Sequence, residues 1–321
     1  MDIGPRLFFK ILGIIVVLLV SWYYKTKKSD DEKDDPEDQF DDHTQEIFMG
    51  KSLSVETESV PSVDDNLNFQ YVDAYGGDTD DLKVRLAQFL GCPCLYLPPC
   101  ESVADIIEFY ENQRKTAGKF TVPLLIGVNQ ELYDTMCHNA DPEFVSWERS
   151  EEQVLQFRES ILSRKVKKGS GEDYLLNRGY KSDLMELLPQ SNGKFGLGQM
   201  ADLLIDPSTE KTVPLLLAQI PVDEAWKVFA WAPCSGNLDL SLDDLLSVAC
   251  YWKFVYSAVP MAILNPSTIF FYVTDMEKVE GKSQRILCEH RTICPNLSSE
   301  KDLSFYLYML ENLNVWTFKN S

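Results

Sequence analysis

The sequence predicts an α/β chain, α+β in its C-terminal half, with a mixed sheet flanked by helices and one transmembrane helix in front of it. Three observations carry this. Residues 7–24 form a nearly uninterrupted apolar run. Residues 29–65 are strongly acidic and lack apolar periodicity. From residue 70 onward, short apolar runs alternate with capped stripes at helical spacing.

The apolar run reads LFFKILGIIVVLLVSWYY. As a helix it spans about 27 Å, close to the hydrocarbon thickness of a bilayer. Lys10 lies near one end, where its ammonium can snorkel, and Trp22, Tyr23 and Tyr24 suit the interface at the other. A cleaved signal peptide would share the charged start, but SWYYKTKK offers no small-residue cleavage pattern. Lys25, Lys27 and Lys28 after the run outnumber Arg6 and Lys10 before it. The positive-inside rule therefore places the soluble region on the cytoplasmic side. The expected localisation is a membrane, crossed once.

Charge divides the chain. Residues 1–28 carry +4 by side chains, residues 29–65 carry −12, and the whole chain carries −20. A nucleic-acid partner is excluded, because that role needs a basic surface. The acidic stretch, with Pro36 within it, cannot bury enough surface to offset its ordering entropy and reads as a solvated tether. It lacks the alternating ligands and turn glycine of a calcium loop. The expected organisation is an anchor and basic flank at 1–28, a tether at 29–69, an α/β subdomain at 70–165, a connector at 166–211 and an α+β domain at 212–321.

In the first subdomain, FQYVDAY reads as a strand ended by Gly76-Gly77. Asp78 or Thr79 can cap a helix with Leu82, Leu86, Phe89 and Leu90 on one face, stopped by Gly91. Gly76-Gly77 lacks phosphate-loop spacing, and the nearby aspartates would repel a phosphate. Cys94 to Leu97 is a short apolar run ended by Pro98-Pro99. Ser102 and Asp105 open a second helix as a capping box, running through Val103, Ile106, Ile107 and Tyr110 to Gly118. A strand follows at 120–128. Asn129 caps the helix ELYDTMCHNA, and residues 150–167 form a charged helix. KVKKGSGED reads as a polar connector. SNGKFGLGQ follows a helical pattern rather than a strand, against a nucleotide loop.

In the second half, TVPLLLAQI at 212–220 echoes TVPLL at 121–125, suggesting two related strand positions. AWKVFAWAP alternates like a strand. Ser241 and Asp244 form a capping box before Leu242, Leu245, Ala249, Trp252 and Tyr256 at helical spacing. VPMAIL and TIFFYV form a hairpin around Asn265-Pro266. Helices near 281–291 and 299–312 and a strand NVWTF close the chain.

The serial order of Trp226-Lys-Val-Phe-Ala-Trp-Ala-Pro233, Gly236-Asn237, Tyr251-Trp252, Ala258-Val-Pro260, Cys294-Pro295 and Val315-Trp316-x-Phe318 resembles the family named domain of unknown function 4253. The resemblance covers 213–321 well and 70–165 loosely. It implies a fold but no reaction. Family members carry Gly-Gly-Trp-Asn where this chain has Ser235-Gly236-Asn237. They carry Asp where this chain has Asn296, and Trp-Trp-Asp where it has Phe318-Lys319-Asn320. An acidic residue ahead of their hairpin aromatics is replaced by the apolar run Ile269-Phe270-Phe271. If those carboxylates serve chemistry, this copy has lost them.

No catalytic constellation stands out. Cys137 and His138 are neighbours whose side chains diverge by about 100° on a helix, and Cys288 and His290 diverge likewise. His43 lies in the tether. The eight cysteines, Cys92, Cys94, Cys100, Cys137, Cys234, Cys250, Cys288 and Cys294, permit disulfides by their even count, but several sit in apolar segments such as SVACYW, where a reduced buried thiol is the plainer reading. Cys92-Pro-Cys94 and Cys288-x-His290-x3-Cys294 supply soft ligands but are not zinc knuckles. No nucleophile elbow or glycosidase carboxylate pair appears. No catalytic, cofactor or metal residue is assigned. The residues singled out are the family positions Trp226, Pro233, Gly236, Asn237, Trp252, Pro260, Cys294, Pro295 and Trp316. The expected function is a membrane-tethered protein-interaction module without catalytic activity. The alternatives are a small-ligand binder or enzyme with a pocket between the two subdomains, or a degenerate structural copy.

Overall fold

The computed structural model describes residues 69–72, 81–141, 151–164, 166, 169–178, 204–206, 208–235, 240–294 and 300–319. The apolar run at 7–24, the acidic tether, Gly76-Gly77, the glycine-rich stretch SNGKFGLGQ, Gly236, Asn237 and Pro295 lie outside them. No helix among the described residues is long and apolar enough to cross a membrane.

The elements are, in order, β1 (Gln70–Val72), α1 (Leu82–Leu90), β2 (Cys94–Leu97), α2 (Val103–Thr116), β3 (Val122–Gly127), α3 (Gln130–Ala140), α4 (Glu151–Leu162) and α5 (Ser170–Asn177). There follow β4 (Ile205–Asp206), β5 (Lys211–Thr212), β6 (Leu215–Ile220), a 3-10 helix (Ala225–Ala230), α6 (Leu242–Tyr256), β7 (Ala258–Asn265) and β8 (Thr268–Val273). A short 3-10 turn (Met276–Lys278), α7 (Ser283–Ile293), α8 (Glu300–Asn312) and β9 (Val315–Lys319) complete them.

Helix starts follow side-chain caps. Ser102 accepts from the Asp105 amide, Asn129 from Leu132 and Ser241 from Asp244, each satisfying an orphan donor of the first turn. The first helix is capped by Asp81, which accepts from the Lys83 amide, and not by Asp78 or Thr79. Helix α1 ends on Gly91 at φ 60°, the left-handed cap expected of glycine.

Seven strands form one mixed sheet in the order β1-β2-β6-β3-β7-β8-β9. All neighbouring pairs are antiparallel except β3 and β7, which run parallel. The two echoed TVPLL segments become direct neighbours, with Leu125 opposite Leu217 and Leu124 opposite Ala218. Because β6 lies between β2 and β3, the segments read as two subdomains share a single sheet.

Strand alternation divides the core. Leu124, Ile126, Leu216, Ala218, Ile263, Phe271, Trp316 and Phe318 join the buried side chains of α1, α3, α6, α7 and α8 on one face. Leu125, Leu215, Leu217, Ala262, Phe270 and Tyr272 meet Ile106, Phe109 and Tyr110 of α2 on the other. The buried guanidinium of Arg158 ties α4 to this framework. It donates to the Phe89 carbonyl at 2.5 Å and lies over the Trp231 ring at 5.1 Å.

Two expectations are corrected. AWKVFA is a 3-10 helix, not a strand. Ala225, Trp226, Val228, Phe229 and Ala230 are all buried, so the segment is enclosed around its circumference and the apparent alternation carries no information about period. Only Lys227 breaks it, pairing with Asp223 at 2.6 Å. The polar connector contains α5, which packs on α6. Gly171 permits that crossing. A Cβ there would run into the Ser247 carbonyl oxygen and lie 2.6 Å from Tyr251 Cβ.

Candidate functional site

The densest set of polar groups in the core joins α5, α6 and α7. Helix α6 presents Tyr251, Trp252 and Tyr256, and α7 presents Arg285 and Glu289 one turn apart and His290 beside them. Glu289 is 1% exposed. Its Oε1 accepts from Tyr256 Oη at 2.7 Å, Tyr251 Oη at 2.9 Å and Arg285 Nε at 3.1 Å. Its Oε2 accepts from Trp252 Nε1 at 3.0 Å. Arg285 Nη2 also donates to Tyr251 Oη at 2.8 Å and to Glu172 of α5 at 2.7 Å.

Burial pushes the Glu289 carboxyl above its ordinary range, against the lowering effect of the four donors. Burial, reinforced by the Glu289 charge, likewise raises the Tyr251 and Tyr256 phenols, which remain proton donors. A buried carboxylate needs a cation and a full set of donors, and Glu289 has both.

His290, fully buried, lies beside this cluster in a cage of rings. Its centroid is 4.5 Å from Phe318, 4.8 Å from Trp316 and 4.9 Å from Trp252. Tyr306 gives its only proton to the Thr317 carbonyl at 2.7 Å. The contact between Tyr306 Oη and His290 Nδ1 at 3.2 Å must therefore be donated by the imidazole. That fixes the Nδ1–H tautomer and leaves Nε2 as a buried acceptor without a partner among the described residues. Burial holds the His290 pKa well below its ordinary value, so the ring is neutral.

Chemically this cluster is closed. Both carboxylate oxygens of Glu289 are engaged by protein donors, three on Oε1 and one on Oε2, and the base of His290 faces rings. Cys288 and Cys294 are buried, and burial raises the Cys288 thiol. Among the described residues no three His, Cys, Asp or Glu side chains gather to hold a metal ion. Cys137 is buried while His138 is exposed, so the two diverge as helical neighbours must.

The family positions among the described residues fall in three places. Trp252 and Trp316 belong to the aromatic cage, and Cys294 caps the C-terminus of α7, its amide bonded to the His290 carbonyl. Trp226 is buried in the 3-10 helix, and the Pro233 carbonyl accepts from Asn139 Nδ2 at 2.8 Å. Pro260 stands elsewhere, where β3 and β7 part. The parallel ladder pairs Leu125 with Ala262 and Ile126 with Ile263 and then stops. Continued by two residues, the register sets Pro123 opposite Pro260. Neither has an N–H to donate, and β7 shifts register against β8 between Pro260 and Ala262.

A cleft of about 180 Å³ opens at this point, lined by Tyr110, Arg114, Thr121, Pro123, Val259 and Thr274 among others. Tyr110 donates to the Pro260 carbonyl at 3.4 Å, and burial keeps its phenol protonated. Arg114 lies over the Tyr272 ring at 5.3 Å. The nearest acid along α2, Glu111, is engaged, accepting from Tyr272 Oη at 2.7 Å and pairing with Lys115 at 3.5 Å.

Sequence reasoning overlooked Glu289, Arg285 and Arg114. For Glu289 a signal existed: it falls within the stripe of Ile286, Leu287, His290 and Ile293, where a carboxylate is expensive unless paired. Arg114 carried none, since an arginine in the last turn of a helix is ordinary.

Residues 216–319 match the family model described as Domain of unknown function (DUF4253). No curated protein and no solved structure gives a significant match.

Proposed function

We propose that the chain is a membrane-tethered binding module, held by residues 7–24, spaced from the bilayer by the acidic segment, and acting through contacts of its α/β unit rather than by catalysis. One observation carries the non-catalytic part of this reading. The place where acid, base, phenols and guanidinium converge has Glu289 1% exposed and every donor around it already committed. A general acid or base must reach a substrate proton, and these groups reach one another instead. The tether rests on the length and flanks of the apolar run.

The test is proximity labelling from the full chain, compared with a chain in which residues 69–321 are replaced by an inert fold on the same anchor and tether. The expected result is a reproducible set of neighbours that depends on residues 69–321. Identical sets from the two chains would reject the reading.

A further inference from the structure

We infer that the cleft between β3 and β7 is a binding site for a small aliphatic carboxylate, with Arg114 as its anchoring cation. The inference stands on the cleft alone and holds whether or not the chain is tethered.

Arg114 Nε is buried without a hydrogen-bond partner among the described residues, and no carboxylate there lies within ion-pairing reach of its guanidinium. The one acid beside it on the helix, Glu111, has its two oxygens taken by Tyr272 and Lys115. The negative end of α2 accounts for a cation in the last turn. It does not account for a cleft in front of that cation. A half-buried guanidinium beside empty space, stacked on Tyr272 and spared by its neighbouring acid, is arranged to take an oxyanion in two parallel hydrogen bonds.

The surroundings define that anion further. Arg114 supplies a single charge, and Lys115 is turned to Glu111, so a monoanion is matched and a phosphate dianion is not. The Thr121 side chain makes no hydrogen bond among the described residues and borders the cleft, so its hydroxyl is open to a second oxygen. The remaining wall is apolar, with Val122, Pro123, Ala225 and Val259, and suits an aliphatic stem. The volume takes on the order of six non-hydrogen atoms, the size of a short-chain acid. Backbone prolines make the opening, because Pro123 and Pro260 cannot close the ladder across it.

Equilibrium dialysis of the full-length protein in neutral detergent tests this with labelled butyrate, with butylamine and inorganic phosphate as comparisons. The expected result is saturable butyrate uptake, no butylamine uptake, and weaker phosphate uptake. Arg114→Gln weakens butyrate binding about tenfold or more by removing charge-assisted hydrogen bonds. Val259→Phe, which fills the cleft and leaves Arg114 in place, abolishes it. Arg164→Gln, an arginine paired with Asp243 outside the cleft, leaves it unchanged. Absence of saturable butyrate uptake by the wild type would overturn the assignment. So would uptake that survives both cleft substitutions, or uptake of butylamine or phosphate as tight as that of butyrate. Far-ultraviolet circular dichroism on each variant separates loss of the ligand from loss of the fold.

Discussion

Tyr256 gives its phenol proton to Glu289 Oε1 at 2.7 Å, and the bond joins α6 to α7 deep under the aromatic cage. Tyr251, Trp252 and Arg285 converge on the same carboxylate. Removing the acid leaves four donors, one of them a guanidinium, without their shared acceptor, whereas removing one donor leaves the acid still held by three. Glu289→Ala is therefore expected to destabilise the fold by about 3–5 kcal/mol. Tyr256→Phe should cost about 1.5–3 kcal/mol, the scale of a hydrogen bond to a charged group. Urea unfolding followed by tryptophan fluorescence checks the order, since Trp252 and Trp316 lie in the cluster. A Tyr256→Phe cost equal to that of Glu289→Ala would refute the shared-acceptor picture.

His290 makes stability depend on pH. Its folded-state pKa lies well below the ordinary 6.5, with burial among Trp252, Trp316, Phe318 and Tyr306 as the cause. Below pH 6.5 the unfolded chain binds a proton that the native ring refuses, so stability falls as pH drops, by up to about 1.4 kcal/mol per unit. The loss continues until the depressed native value is reached. Glu289 acts in the opposite sense above the ordinary 4.5, because its raised native pKa makes the folded chain hold a proton longer. In His290→Phe the ring cage persists and Tyr306 keeps its bond to the Thr317 carbonyl. The slope below pH 6.5 should then flatten by one proton's worth. An unchanged slope would place the titration elsewhere.

Gly171 yields a third expectation, opposite in sign to helix propensity. Within an exposed helix, glycine to alanine gains about 1 kcal/mol. At Gly171 the new Cβ meets the backbone of Ser247 and the Cβ of Tyr251, neither of which is a flexible tip. Gly171→Ala should lower stability by about 1–3 kcal/mol as α5 is pushed off α6. The Glu172–Arg285 pair, 2.7 Å in the wild type, should loosen with it. Thermal unfolding of Gly171→Ala alone and combined with Glu172→Gln checks this. In the combined variant the second change should add less than it costs in the wild type.

These expectations also show what the sequence could reveal. Caps are local, and Ser102, Asn129 and Ser241 were legible because a short polar side chain before an apolar stripe has one use. The TVPLL echo pointed to related strands, and β3 and β6 lie side by side. Burial on all sides is what hid the rest. The enclosure of AWKVFA erased the periodicity that distinguishes strand from helix. Gly171 in a Lys- and Gly-rich stretch resembled a linker until α6 was placed against it. Glu289 gains its meaning from Tyr256 and Tyr251, 33 and 38 positions away, and Arg114 from Tyr272 and from Pro123 facing Pro260. Such relations are set by topology, which no local pattern encodes.

The position of the α/β unit relative to the bilayer can be decided with a C-terminal tag. Three lysines follow the apolar run and two basic residues precede it, so the unit is expected on the cytoplasmic side. In sealed vesicles that retain cytosolic orientation, the tag should be digested by added protease without detergent. The protein should remain with the membranes through alkaline carbonate extraction, and deletion of residues 1–28 should release it. The sequon Asn296-Leu-Ser298 should then stay unmodified, because the glycosylation machinery is luminal. On that side the compartment is reducing, and all eight cysteines should react as free thiols. A protected tag together with a glycosidase-sensitive mass shift at Asn296 would reverse the orientation, and release by carbonate would remove the anchor altogether.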